Sequence, residues 1–530
     1  MTCYINQKYV ILISKLFQGV KNMRLLTLSV FCASAAMVLS GCYNYEKPAA
    51  ATMETEFQQR KKDGADELLK DVKLLTIENA QRIALANNPD YRSAYHAVKA
   101  AEMVYYQALG SFAPTVSATF SIGQSHSYPH SGTSPHYHDS AFTTNTGINA
   151  NWVLFSGLSR YFAAKIAKAG QNFQEAMEED ACRTLLRGVA YAYNEIMLAK
   201  ENIRIADKDM SFQQDCLRET ELKYEVGTVP LSEVLNFKIR VNNAISNKIT
   251  AERTYEIATY VLAVLMGYPE GKFPEWVKFA EIKTDLDAIV PKVEVYLDAA
   301  LANRPDLRGM REQLKIAEYT KYKSYSAYSP VISAYANFNY QHRDGRSSLN
   351  RAHTRAYGPS FEYGASASWT LFNGFIRYNQ VREAQANMAI AEFALASAWL
   401  GVIQEVRTAY TNYIQSVRQA KIFEGTLKYS TEQRDLVAKE YEAGTIGITR
   451  LNEVQKDLVD AEATLASAYI NTKNAMVQLE AAAGMISANY KKLTGDENAK
   501  TQASDIENAE VIKSGEKAMP SLPANPKPGN

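Results

Sequence analysis

Residues 151–161 read NWVLFSGLSRY, and residues 368–378 read SWTLFNGFIRY. In each, a run of alternating residues reaches a Gly and then gives way to a helical pattern. The two stretches lie 217 positions apart, and other pairs keep the same spacing. ALANNPDYR (84–92) returns as ALANRPDLR (300–308) and Pro114 as Pro330, both at an offset of 216. YEVGT (224–228) returns as YEAGT (441–445) and Gly267 as Gly484, both at 217. Five landmarks in one order make the chain a tandem duplication of a unit of about 210 residues, far longer than the repeats of solenoids.

Each unit reads the same way. A helix over about 75–110 opens near Thr76, with a break at Asn88-Pro89. In TVSATFSIGQ, Val116, Ala118, Phe120 and Ile122 point one way, and Thr115, Ser117, Thr119 and Ser121 the other. Its partner INANWVLF sets Ile148, Ala150, Trp152 and Leu154 against Asn149 and Asn151. The second copy sets Ile332, Ala334, Ala336, Phe338 and Tyr340 against Ser333, Asn337 and Asn339. Its partner sets Phe361, Tyr363, Ala365, Ala367, Trp369 and Leu371 against Glu362, Gly364, Ser366, Ser368 and Thr370. The expected hairpins are 115–124 with 147–155, and 331–340 with 361–372. Strands of about ten residues with this alternation suit a transmembrane β-barrel. A soluble sandwich shares the alternation, but here it is confined to two widely separated hairpins.

After Gly157 and Gly374 the period is helical for about 70 residues. Cys182, Val189, Ile196, Ile203, Met210, Leu217 and Tyr224 recur every seventh position, with Leu185, Ala192, Ala199 and Ala206 between them. This is a coiled-coil seam. From 157 to 226 it would measure about 105 Å, more than any soluble core needs. At VGTVP (226–230) the chain turns, and a second striped helix returns from Leu231 to about Leu265; Gly444 marks the same turn in the second copy. Four strands cannot close a barrel, and open edges are not tolerated in lipid. Several chains must therefore pool their strands; three would supply 12, an even number in the usual range. The fold class is a mixed α and β membrane protein: a long antiparallel α-helical coiled-coil barrel plus four transmembrane strands per chain.

From Met23, MRLLTLSVFCASAAMVLSGC carries an apolar run, Leu25–Leu39, too short for a span of about 20 residues. It fits an export signal. The ending Leu39-Ser40-Gly41-Cys42 resembles the bacterial lipobox. That resemblance implies cleavage before Cys42 and a covalent lipid on it; Tyr43 rather than Asp after it favours the outer membrane. The organisation is then a signal peptide (1–41), a lipid-anchored linker (42–73), a first repeat (74–269), an equatorial linker (270–292), a second repeat (293–488), and an equatorial remainder with a Pro-rich disordered tail (489–530).

The net charge of +1 gives no field for nucleic acid. Phosphate-loop, zinc-protease and zinc-ribbon motifs are absent, no nucleophile–base constellation stands out, and an enzyme is not expected. Cys3 and Cys32 would leave with the signal. Cys182 and Cys216, 34 residues apart in one helix, would be about 50 Å apart, so no disulfide is expected. His126, His130, His136 and His138 crowd HSYPHSGTSPHYH between the first two strands. Imidazoles at this density can bind zinc, copper or nickel, but a solvated loop is the commoner meaning; no resident metal or other cofactor is expected. Trp152 and Trp369 end outward-facing rows, where aromatic girdles sit, although ordinary packing explains them too.

The ALAN(N/R)PD pair, the W-x-L-F-x-G junctions and the turns YEVGTVPLSEVLN and YEAGTIGITRLNEVQ resemble the TolC-like outer-membrane efflux protein family over about 75–490. Cys42 followed by Tyr45-Glu46-Lys47-Pro48 resembles its lipoprotein branch. The resemblance implies a homotrimer with a 12-stranded outer-membrane barrel and a helical tunnel across much of the periplasm. It implies a passive duct for small toxic compounds or drugs, docked through a periplasmic adaptor onto an inner-membrane transporter. Export of a protein substrate is the close alternative; a lipid-anchored coiled-coil scaffold without a pore is the alternative of another class. By the family pattern, Gly227 and Gly444 end the helices at the periplasmic tips. Glu233 stands where members often place an Asp, whereas Arg450, with Glu453 three residues on, departs from it. That departure argues against a purely acidic, cation-selecting ring. The expectation is a Glu233–Arg450 pair between neighbouring tips that helps hold the gate shut.

Overall fold

A computed structural model describes residues 74–127, 138–268, 273, 276–279, 291–347 and 353–486. The signal segment, Cys42, His130, His136 and the tail lie outside the described residues. The first copy runs β1 (Leu74–Leu75), α1 (Ile77–Asn87), α2 (Pro89–Gly110), β2 (Thr115–Ser127), β3 (Asp139–Phe155), α3 (Ser159–Glu225) and α4 (Leu231–Leu265). The second runs β4 (Lys278–Phe279), α5 (Val293–Asn303), α6 (Pro305–Tyr325), β5 (Val331–Ser347), β6 (His353–Ser368), α7 (Ile376–Glu442) and α8 (Ile448–Ala482). Local chemistry sets the starts. Thr76 Oγ1 accepts the Asn79 N–H at 3.3 Å. Asn88 Oδ1 accepts from Asp90 and Tyr91 N–H at 2.9 and 3.1 Å, and Pro89 fills the first turn of α2, where no donor is needed.

The four long strands form one antiparallel sheet in the order β2-β3-β5-β6. Three of them run well beyond the stretch that alternation marks; β3, for example, begins at Asp139 rather than near 147. The added residues include Thr143, Thr144, Arg343 and Asp344, polar on both faces. Ladder hydrogen bonds hold such a stretch, but an apolar period cannot reveal it. Strand β6 begins early, at His353, but stops short at its other end: it ends at Ser368 opposite Val331, although alternation continues to 372. Its counterpart β3 continues to Phe155 because β5 pairs with it there.

The helices pack as a wall. At the sheet end, α3 lies between α2 and α6; toward the tips it lies between α4 and α8. The heptad seam is only partly the packed face. Val189 and Ile196 are fully buried, but Ile203, Met210 and Leu217 are half-buried and Tyr224 is exposed. Further down, the buried face passes to Ile205, Gln213, Cys216 and Thr220. A helix of 3.6 residues per turn drifts about 20° per heptad from a seven-residue row, so a row of six heptads rotates out of contact. Near mid-wall, β4 pairs in parallel with β1, and Phe279 packs edge-on against Tyr193, Tyr255 and Phe273. Tyr193 Oη donates to the Leu75 carbonyl at 2.8 Å. The expected linker therefore contains a packed anchor, too short to show a period.

Cys182 and Cys216, both on α3, are in no disulfide among the described residues. Burial, followed by the nearby carboxylates Glu219 and Asp215, pushes the Cys216 thiol up to about 11. Its thiolate is therefore scarce at neutral pH. In a variant whose other cysteines are replaced by serine, iodoacetamide at pH 7 is expected to label half-buried Cys182 well before Cys216. Mass mapping checks this; equal rates would contradict the packed α3 face.

Candidate functional site

The two sheet faces differ in kind. Outward lie Val116, Phe120, Ile122, Ile148, Phe338, Tyr340, Phe361 and Tyr363, all exposed large hydrophobics. From Ile332 to Tyr340 this band spans roughly 27 Å along the strand, matching the apolar belt of about 25 Å on membrane barrels. It ends where His342, Asp344 and Arg355 take over on the same face; the Arg355 guanidinium lies 3.3 Å from Asp344. The other face is mostly polar, with Val153 and Val331 at its helical end. Thr115 Oγ1 donates to the Asn151 carbonyl at 3.2 Å and Asn149 Nδ2 to Thr119 Oγ1 at 3.4 Å. Tyr335 Oη donates to Glu362 at 3.4 Å. One face suits lipid and the other water.

Strand passes to helix through a sharp elbow. Gly157 and Leu158 are both left-handed (φ 62° and 67°), as are Gly374 and Phe375 (66° and 62°). Holding Leu158 and Phe375 there costs roughly 1–2 kcal/mol each, so surrounding contacts must over-determine the bend. They do so identically in the two copies. Trp152 Nε1 donates to the Phe112 carbonyl at 2.9 Å, and Trp369 Nε1 to that of Tyr328 at 3.0 Å. Arg160 donates to the Ser111 carbonyl and Arg377 to that of Ala327, both at 3.0 Å, each guanidinium lying over the aromatic ring of the next residue. The indole N–H groups are thus pinned while the rings stay exposed at the helical margin of the apolar band. Arg160 and Arg377 stand three residues after their Gly in the quoted stretches. Sequence reasoning passed over them because an arginine starting a helix carries no signal of its own.

The ALAN(N/R)PD pair holds the far ends of the returning helices. Asn88 Nδ2 donates to the Leu265 carbonyl at 3.0 Å, closing the end of α4. At the matching place Arg304 donates to the Ala482 carbonyl at 3.0 Å, ending α8, and pairs with Asp306 and Glu405 at 2.6 Å each. Arg183 adds a second cation, donating to the Ala481 carbonyl at 3.0 Å. Both arginines satisfy terminal carbonyls and oppose the negative end of the helix dipole.

At the tips, Gly227 and Gly444 take φ of +77° and +74°. The Thr228 and Thr445 N–H groups cap the carbonyls of Lys223 and Glu440 at 2.9 and 3.0 Å. Glu233 is half-buried in the first turn of α4, where a carboxylate suits the helix N-terminus. Arg450 pairs with Glu453 on its own helix at 2.6 Å, and among the described residues it does not reach Glu233. What joins the two tips instead is Lys223, which donates to Tyr441 Oη at 3.0 Å and lies 4.5 Å from that ring's centroid. In the cluster of histidines, His126 and His138 stack with ring nitrogens 3.2 Å apart. Among the described residues no group of three metal-ligating side chains forms.

These glycines differ in what surrounds them. A Cβ at Gly227 meets open space, so Gly227→Ala is expected to cost only the left-handed strain, roughly 1–2 kcal/mol. Gly267 (φ +66°) would place a Cβ 2.6 Å from the Asn87 carbonyl oxygen. Gly267→Ala is therefore expected to lower the melting temperature clearly more than Gly227→Ala in paired thermal unfolding; equal shifts would contradict the contact.

The sequence model described as outer membrane efflux protein matches residues 81–268 and 296–485, one copy each. The chain is similar to outer membrane protein TolC of Escherichia coli: 22% identical over 364 residues, 64% of this chain and 71% of the relative. It is similar to the alkaline protease secretion protein AprF of Pseudomonas aeruginosa: 23% identical over 415 residues, 76% of this chain and 81% of the relative. Among solved structures, the CmeC outer membrane channel of Campylobacter jejuni shares the fold, with a TM-score of 0.64 at 16% identity over 78% of this chain and 88% of that one.

Proposed function

The chain belongs to the outer membrane efflux protein family, and from that premise we propose that it is the outer-membrane exit duct of a tripartite export system. One observation carries the reading: a four-stranded sheet, lipid-fit on one face and polar on the other, with both edges open. Among the described residues, strands β2 and β6 each have a neighbour on one side only. Unpaired strand edges are not tolerated in hydrocarbon, so identical chains complete the wall. Three chains give a 12-stranded barrel, the helices forming its periplasmic tunnel. The polar face lines a wet passage with no catalytic step, and specificity comes from an inner-membrane transporter reached through a periplasmic adaptor. The cargo in this reading is small toxic compounds. The likeness to AprF favours a second reading, export of a protein; reconstitution with the adjoining transporter separates the two.

Planar-bilayer recording of detergent-purified protein, with native mass measurement, tests the duct. Discrete conductance from a species of three chains is expected; a water-soluble monomer that never conducts would overturn it. The lipid on Cys42 has its own test. Cys42→Ser is expected to abolish palmitate labelling while the assembled form and its conductance persist, because the barrel itself sits in the bilayer. At the tips, Glu233 of one chain pairs with Arg450 of the next, in competition with Glu453. Unchanged opening of both Glu233→Ala and Arg450→Ala pores would reject that pair.

A further inference from the structure

We infer that the outer side of the sheet, just past the apolar belt, is a binding surface for anionic phosphorylated lipid. In this arrangement Arg346 and Arg355 grip the phosphate groups of outer-leaflet headgroups, and Asp344 with His353 holds Arg355 in position. The surface rests on the duct reading above, which turns the hairpin ends away from the periplasm, and it adds the lipid chemistry that the wall takes.

The strand register places these groups. Asp344 stands opposite Arg355, and Arg346 opposite His353, on neighbouring β5 and β6. Opposed residues share a face and every second residue returns to it, so all four lie on the side of Phe338 and Tyr340. On β6, Tyr357 carries that face outward at 73% exposure. Arg355 is the next residue of the same face, about 7 Å further along the strand. The headgroup layer is about 5–7 Å deep on each side of the hydrocarbon core. The arginines therefore begin where the headgroups do. Phe142 of β3 lies opposite Asp344 and is 41% exposed, and aromatic rings beside cations suit a membrane–water interface.

The two faces differ in charge at this height. Outward, level with residues 342–346 of β5, come His126, His342, Asp344, Arg346, His353 and Arg355. The lumen face over the same rows carries Arg343 as its one ionisable side chain among the described residues, near Gly345, Thr354, Ala141 and Ser125. Both faces have left the hydrocarbon here, so a need for solubility alone would charge them alike. The charge has gathered on the side that meets lipid.

The local geometry suits phosphate. Arg355 donates through Nε to Asp344 Oδ2 at 3.3 Å, while His353 bonds the other oxygen of that carboxylate. The base of the guanidinium fork is thus fixed, and its side chain is 65% exposed. Arg346 is exposed as well and sits diagonally across the strand pair from Arg355, roughly 7–8 Å away. Two forks at that spacing can close on one phosphate, whose oxygens match guanidinium donors bidentately. Two arginines against one aspartate leave the patch cationic before any histidine is protonated.

Native mass spectrometry of the assembled full chain tests the surface, with diphosphoryl lipid A as probe. Phosphatidylcholine, whose own choline neutralises its phosphate, is the comparison lipid and is expected to be retained less. Retained lipid A is expected to fall roughly fivefold in Arg346→Gln or Arg355→Gln, and about 30-fold in the double variant. Arg343→Gln removes the same charge from the lumen face at the same height and is expected to leave retention unchanged. Undiminished retention in the double variant, or an equal loss in Arg343→Gln, overturns the proposal. Displacement of lipid A by excess inorganic phosphate overturns it too, since that would make the patch a site for a soluble anion. Where the double variant fails to assemble, the two single variants decide by the same readout. An unsubstituted chain that never assembles overturns the duct itself, and this surface with it.

Discussion

Phe338→Arg is expected to abolish the membrane-inserted assembly while leaving the helical wall folded. Phe338 sits mid-strand on the outer face, opposite Ile148 and Phe361. A cation at bilayer mid-depth on a barrel's lipid face costs about 2–4 kcal/mol. In the proposed three-chain ring that becomes roughly 6–12 kcal/mol, comparable to the whole stability of a domain. The check is loss of the heat-sensitive oligomer band and of conductance, with helical circular dichroism retained. The neighbour Asn337, one residue along and on the polar face, is the control. Asn337→Arg is expected to assemble normally and to alter only ion selectivity. Equal damage from both variants would mean that the two faces are not lipid and water.

Arg304→Ala is expected to destabilise the helical wall by about 3–5 kcal/mol, since truncating one member of a buried pair strands the others. The Arg304 side chain is 4% exposed, and its loss leaves Glu405, Asp306 and the Ala482 carbonyl without it. Arg304→Lys is expected to recover only part, because one ammonium cannot serve three acceptors in fork geometry. Thermal unfolding in detergent reads both. The pH dependence has a definite sign. Burial works to raise the Asp306 pKa, but the Arg304 hydrogen bond and charge outweigh it and hold the carboxyl below its usual value. Asp306 therefore contributes stability above the ordinary carboxylate range near pH 4, lost as pH falls further. In Arg304→Ala that acid-side loss should shrink.

Much of the fold was legible because duplication repeats its own evidence. The W-x-L-F-x-G junctions, the strand alternation and the glycines at 227, 267, 444 and 484 each occur twice, so chance agreement is hard. Where the sequence was silent, the physics explains the silence. The outer halves of the hairpins carry polar residues on both faces, with only scattered apolar ones such as Phe142 and Tyr357, and so show no period of two. The parallel pairing of Leu74–Leu75 with Lys278–Phe279 joins residues some 200 apart through two-residue strands. The clamp was half visible: the ALAN(N/R)PD repeat is plain, but its acceptors, the carbonyls of Leu265 and Ala482, are backbone atoms that no motif encodes. Lys223 and Tyr441 escaped notice because a lysine beside a tyrosine on a helix reads as ordinary surface.

The unbroken length of α3 and α7 has a mechanical consequence. Each is 67 residues, a lever arm of about 100 Å hinged on two left-handed residues at one end. A swing of only 3° about Phe375 would carry Gly444 roughly 5 Å sideways over that arm. The hinge can therefore stay nearly still, and the lipid undisturbed, while the far end travels farther than a hydrogen bond can stretch.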